Sequence, residues 1–315
     1  GWTSTPRLAP APPVHRAFVE RARREPAAPA VQGEGSALRY GELEARSRGL
    51  AAALRAEGIG PGAVVALLVD GSPSTVVAIL AVLRAGAAYA PLSSEAPPAR
   101  LARQIEAAGA ALLLAPAAQI ERARALPARV MVIDEERGEG ALDEGDEASM
   151  AGDSPAYLIF TSGSTGLPKG VLVSHASLAA YTEATVRDLD LASRPRACAV
   201  VSTLAADLAL TCLFPALVTG GSVQLVGTTD RKGTTIKFKP DAQIFKITEF
   251  NYTTGQQTAN SFDWYYTPPG QTQVGLATDL VRLRRSVRQQ TSEARLLVFL
   301  LEERAPSIDR LRLGG

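Results

Sequence analysis

Residues 161–170 read TSGSTGLPKG, a stretch in which glycines, hydroxyl side chains and one ammonium group crowd into a short span. Gly163 and Gly166 give the backbone freedom to turn successive N–H groups toward an anion. Thr161, Ser162, Ser164 and Thr165 add hydroxyl donors, and Lys169 adds a positive charge. Together they could hold a polyphosphate. The stretch is not a Walker loop, because Lys169 follows Pro168 and precedes Gly170, whereas that motif needs Gly-Lys-Ser/Thr after its spacer. Composition alone also allows a flexible Ser/Gly surface turn. Placement speaks for the phosphate cradle: residues 156–160 (AYLIF) read as a buried strand that delivers the loop at its carboxyl end, where open α/β sheets bind ligands. A second apolar run, residues 171–173, follows.

The elements that must carry this loop are legible upstream. Residues 40–57 have leucines at 43, 50 and 54 among alanines and charges, a partly amphipathic helix stopped near Gly58 and Gly60. Residues 64–69 (VVALLV) read as a buried strand, and 74–84 as a helix with Gly86 as its stop. Helix 101–108, strand 111–114, helix 119–126 and strand 129–133 continue the alternation. Short helices alternating with apolar strands predict an α/β fold of largely parallel sheets covered by helices. An all-helical reading of so alanine-rich a chain is weakened by the β-branched runs. The acidic, glycine-containing residues 135–147 read as a solvated surface loop.

Composition narrows the function classes. At 315 residues the chain can bury a large core, and 33 basic against 32 acidic residues, a net charge of +1, give no reason to expect a nucleic-acid or membrane surface. Cys198 and Cys212 are the only cysteines and have no metal-ligand spacing, so both read as small buried side chains. The first residues lack the basic and apolar regions of a signal peptide, and residues 1–12 read as an irregular linker, so the expected location is cytoplasmic.

The loop also has company. LRYGELEARSRGLAAALR (38–55), VLRAGAAYAPL (82–92) and AYLIFTSGSTGLPKGVLVSH (156–175) resemble, in that order, three signatures of the adenylation domains of nonribosomal peptide synthetases, members of the acyl-adenylate-forming superfamily. The resemblance covers residues 13–226, which it identifies as the N-terminal core of such a domain. It implies a ligase-type reaction: a carboxylate attacks the α-phosphorus of ATP, pyrophosphate leaves, and the aminoacyl-AMP passes to the phosphopantetheine thiol of a carrier-protein domain. Residues 161–170 would hold the leaving β- and γ-phosphates. Magnesium would accompany the nucleotide, and neighbouring synthetase domains would be partners.

In residues 201–226 (VSTLAADLALTCLFPALVTGGSVQLV), Asp207 occupies the place where the family's aspartate pairs with the substrate α-ammonium, with Ala206 in place of the usual phenylalanine. A carboxylate beside an apolar pocket is stabilised by an ammonium and left unpaired by a hydroxy, keto or aryl acid. Asp207 is equally placed to cap a helix over residues 208–217. The resemblance puts His175 beside the acyl or adenine side of the cavity, while a histidine at a helix start also serves structure alone. It is not a general base here, since a substrate carboxylate is already ionised.

After residue 226 the resemblance breaks. Residues 227–273 turn threonine-, glutamine- and aromatic-rich, which suggests irregular β-structure in an insertion or replaced segment. VGLATDLVRLR (274–284) weakly resembles the ribose-binding motif, with Asp279 as candidate, and residues 274–290 read as a remnant of the core's end. Residues 291–315 resemble a fragment of the smaller C-terminal subdomain. No Gly-Tyr-Gly-Pro-Thr-Glu-like adenine motif and no late catalytic lysine occur. The expected protein is an amino-acid-activating domain, with a noncatalytic adenylation-like platform in a megasynthase as the alternative.

Overall fold

The computed structural model describes residues 11–33, 36–133, 152–161, 169–193, 197–200 and 203–225, and four later strands at 243–248, 263–265, 298–302 and 312–314. The helices are α1 (Val14–Arg24), α2 (Tyr40–Ala56), α3 (Pro73–Ala85), α4 (Pro98–Ala108), α5 (Ile120–Arg124), α6 (His175–Asp188) and α7 (Leu210–Thr219). The strands are β1 (Pro29–Gly33), β2 (Ser36–Arg39), β3 (Val64–Val69), β4 (Ala88–Ser93), β5 (Leu112–Pro116), β6 (Val130–Ile133), β7 (Pro155–Thr161), β8 (Lys169–Ser174), β9 (Ala197–Val200), β10 (Ser222–Leu225), β11 (Gln243–Thr248), β12 (Asp263–Tyr265), β13 (Val298–Glu302) and β14 (Arg312–Gly314).

Two six-stranded sheets organise them, in the orders β11-β13-β9-β10-β1-β2 and β6-β5-β3-β4-β7-β8. In the second sheet β6, β5, β3, β4 and β7 are mutually parallel, and only β8 runs antiparallel, as the edge strand beside β7. In the first, β11, β9, β10 and β1 run in one direction, and β13 and β2 run antiparallel to them. The expected mixed α/β architecture with parallel sheets and helices is therefore present.

Alternation along β3 shows how both faces of the second sheet are covered. Val65, Leu67 and Val69 join the large core shared with the first sheet, whereas Ala66 and Leu68 join a smaller core with Leu101 and Ile105 of α4 and Ala123 of α5. Helix α3 is apolar all round and packs against strands of both sheets, so all of its residues are buried, including Arg84. That guanidinium is matched rather than stranded: it donates to Glu44 Oε1 at 3.0 Å, to the Glu44 carbonyl at 3.0 Å and to Ser47 Oγ at 3.1 Å, all on α2. Tyr40 ties α2 to the end of α7, its hydroxyl lying 2.7 Å from the Gly221 carbonyl and 3.1 Å from that of Leu217.

Gly86 ends α3 in the left-handed region at φ 86°, where a side chain would be strained. Three predicted boundaries moved outward by a residue or more: α3 begins at Pro73, α4 at Pro98, and β5 runs to Pro116. Proline at a helix start needs no partner for an N–H it lacks, so the true starts sit upstream of the apolar periodicity. Residues 135–147 lie outside the described residues, as do residues 1–10 of the expected linker.

Candidate functional site

Strand β7 lies beside β4, deep enough that Ala156 is fully buried, and β8 returns antiparallel to it. The register pairs Phe160 with Gly170 and Thr161 with Lys169. Strands β7 and β8 are thus an antiparallel pair whose facing ends, Thr161 and Lys169, stand at the carboxyl end of the parallel sheet. That places the backbones of Thr161 and Lys169 opposite each other at the mouth of the loop. Ser162, Gly163, Ser164, Thr165 and Gly166 themselves lie outside the described residues. Gly170 has a packing reason to be glycine, since a Cβ there would meet Leu158 Cδ1 at 2.9 Å.

Helix α6 follows β8 without a break, and its amino terminus is already spoken for. The N–H of His175 donates to the Ser154 carbonyl at 2.9 Å, that of Ala176 to the Gly152 carbonyl at 2.8 Å, and that of Ser177 to Ser174 Oγ at 3.2 Å. Ser174 pairs with Pro155 at the start of β7, so this helix terminus stands at the opposite end of the sheet from the loop. At the carboxyl end, the loop's end, the Asp70 carboxylate after β3 is engaged, accepting from Ser72 N at 3.0 Å and Thr75 Oγ1 at 2.9 Å, which fixes the start of α3.

His175 is buried, at 1 % exposure, with its ring 5.4 Å from that of His15 on α1 in an edge-to-face arrangement. Neither ring has a hydrogen-bond partner on either nitrogen among the described residues. Burial holds the His175 imidazole down to about 4. His15 is also held well below its ordinary value, by burial first and then by the charges of His175, Arg84 and Arg16. Both are neutral at pH 7. His15 was not singled out from the sequence, although it and His175 are the only two histidines of the chain.

Asp207 reaches the surface by a different route. Helix α6 crosses from the second sheet to β9 of the first, and the chain leaving the carboxyl end of β9 forms a 3-10 turn, Asp207–Ala209, that runs into α7. Asp207 is exposed. The cap of α7 is Ala209, and no side chain caps it, so the capping role open to Asp207 in the sequence is not used at α7. Below it α7 is buried through Leu210, Thr211, Cys212, Leu213 and Phe214. Tyr181 of α6, 40 % exposed, reaches across to α7 and shares a hydrogen bond with Thr211 Oγ1 at 2.5 Å. Asp279 lies outside the described residues, and among the described residues no group of three or more His, Cys, Asp or Glu could hold a metal ion.

Two sheets with helices packed between and around them are the architecture of the N-terminal subdomain of adenylate-forming enzymes. The profile of the AMP-binding enzyme family matches residues 18–254, and the chain belongs to that family. It is 34 % identical over 224 residues to bacitracin synthase 3 of Bacillus licheniformis, covering 70 % of this chain and 3 % of that protein. It is 37 % identical over 225 residues to the AMB antimetabolite synthetase AmbB of Pseudomonas aeruginosa, covering 71 % and 18 %. Among solved structures, the nonribosomal peptide synthetase FmoA3 in its AMPPNP-bound form aligns with a TM-score of 0.60 and 31 % identity over 70 % of this chain and 23 % of that one. The fused adenylation–PCP didomain NpsA-ThdA of Klebsiella oxytoca shares the fold, with a TM-score of 0.62 at 24 % identity, over 70 % of this chain and 44 % of the didomain. The chain thus spans a minor part of each relative, and its likeness is to their nonribosomal-peptide-synthetase adenylation domains.

Proposed function

We propose that this chain forms the ATP- and amino-acid-binding core of an adenylation domain that makes aminoacyl-AMP for delivery to a carrier-protein thiol in the cytoplasm. The observation that carries the proposal is the β7–β8 hairpin, which sets a donor-rich loop at the carboxyl end of a parallel sheet with Thr161 and Lys169 paired at its mouth. The FmoA3 structure with AMPPNP supports use of a nucleoside triphosphate by the family.

In this reading the hydroxyls and amides of residues 161–166 and the Lys169 ammonium hold the β- and γ-phosphates, offsetting charge that grows as pyrophosphate leaves. Asp207 receives the substrate α-ammonium at the start of α7. His175, a neutral, buried ring at the first residue of α6 and the far end of β8 from the loop, lines the acyl or adenine side of the cavity, and Asp279 is the ribose contact. The donor set fits magnesium carried on the phosphates, since that ion keeps waters and binds through substrate phosphates with few carboxylates. When bound it would neutralise phosphate charge. A carrier-protein domain and neighbouring synthetase domains complete the assembly, in keeping with the chain's match to only 3 % of the length of bacitracin synthase 3.

The test is equilibrium binding of ATP and of AMP, each with magnesium, to the chain and to its Lys169→Ala variant. Loss of a charge-assisted contact corresponds to about a ten- to hundredfold weakening, expected for ATP and not for AMP. Equal weakening of both nucleotides would remove Lys169 and the loop from the β- and γ-phosphates. The platform reading draws on the departure of residues 227–273 from the family pattern. It predicts nucleotide binding with no amino-acid dependence.

A further inference from the structure

Thr211 differs from the other threonines of α6 and α7. Thr182, Thr185 and Thr219 each turn the hydroxyl back onto the carbonyl four residues earlier, at 2.8, 2.9 and 2.7 Å. Thr211, buried at 4 % exposure, instead bonds across to Tyr181 on α6. The carbonyl four residues before Thr211 is that of Asp207. Back-bonding of a threonine bends a helix; either hydroxyl can donate in the Tyr181–Thr211 bond, and with Thr211 as the donor its one proton is held away from the turn that presents the Asp207 carboxylate.

We propose that Tyr181 is a positioning residue for Asp207, acting through Thr211, and thereby sharpens the preference of the site for an α-amino over an α-hydroxy acyl group. The proposal rests on the reading of Asp207 as the ammonium partner. Tyr181 suits the task by location. It stands two turns into α6, the helix that continues the phosphate-loop hairpin, and its bond to Thr211 links that hairpin to the Asp207 turn, which comes from the other sheet.

The experiment measures the ratio of affinities for α-aminoacyl and α-hydroxyacyl sulfamoyladenosines, prepared as matched alanine, leucine and phenylalanine pairs, with the full chain. Four variants are compared with it: Tyr181→Phe, Thr211→Val, the pair combined, and Asp207→Asn. Tyr181→Phe leaves the Thr211 hydroxyl free to bond the Asp207 carbonyl, and the amino/hydroxy ratio is expected to fall about two- to tenfold, the scale of one net hydrogen bond. ATP affinity stays as it was. Adding Thr211→Val removes the competing hydroxyl, so the double variant recovers most of the ratio, a rescue that simple loss of packing does not give. A native ratio in Tyr181→Phe, or a double variant no better than the single, while Asp207→Asn still compresses the ratio, would overturn the role of Tyr181 and leave Asp207 in place. If Asp207→Asn also leaves the ratio unchanged, or no pair is discriminated, the amine-site reading falls and the Tyr181 proposal with it.

Discussion

Acidification should act on this fold first through His15 and His175. Both rings are buried against each other without hydrogen-bond partners, and Arg84 and Arg16 add charge that opposes protonation of His15. For His175 the folded value is about 4 against 6.5 for the free side chain. Between those two pH values the unfolded chain holds a proton that the folded chain refuses. Stability is therefore complete above pH 6.5 and falls as the pH drops, by about 1.4 kcal/mol per unit, reaching about 3 kcal/mol near pH 4 from His175 alone. His15 shifts in the same direction and adds to the loss. The assay is urea unfolding at a series of pH values from 7.5 to 4.5, comparing the chain with a His15→Phe, His175→Phe variant that keeps two rings in the space. Carboxylates contribute equally to both proteins, so the difference isolates the pair. It should move in favour of the variant by about 2 kcal/mol or more between pH 6.5 and 5. A difference that stays constant with pH, or a histidine C2 proton resonance titrating near 6.5 in the folded chain, would refute the reasoning.

Two further outcomes follow. Tyr40→Phe leaves the carbonyls of Leu217 and Gly221 at the end of α7 without their buried donor, and should lower unfolding stability by about 1–3 kcal/mol in denaturant titration with nucleotide affinity unchanged. Because these residues hold no Gly-Tyr-Gly-Pro-Thr-Glu-like adenine-binding motif, the chain should bind nucleotide yet show little or no amino-acid-dependent exchange of pyrophosphate into ATP. Loss of even one preorganised donor costs about a hundredfold in rate, so robust exchange by the 315 residues would contradict this expectation.

Much of the second sheet was legible because its strands are buried on both faces. Residues 64–69 form an unbroken apolar run with no competing helical period, and β3 has those bounds. Strand β4 was harder to read: Ala88–Ser93 (AYAPLS) is alanine-containing with Pro91 inside it, and its strand character comes from lying between β3 and β7 rather than from its own propensity. The apolar residues Val171 and Leu172 gave no warning that β8 is an exposed edge strand, because pattern alone does not reveal which strand has a neighbour. Of the proposed site, the loop and Asp207 are marked in the sequence by motif and resemblance. The Tyr181–Thr211 bond and the meeting of His15 with His175 had no local signal, since each joins elements brought together only by the crossover of α6 between the sheets.

The central claim is that the hairpin loop and Asp207, delivered by different sheets, serve one acyl-adenylate site. Displacement of a fluorescent ATP analogue, bound with magnesium, by an α-aminoacyl sulfamoyladenosine tests it most directly, with AMP as the reference competitor. A single site predicts complete displacement by the aminoacyl compound at concentrations well below those AMP requires, because the ammonium adds its contact with Asp207 to those of the nucleotide. An aminoacyl compound that displaces no better than AMP, or that binds while the ATP analogue stays in place, would contradict it.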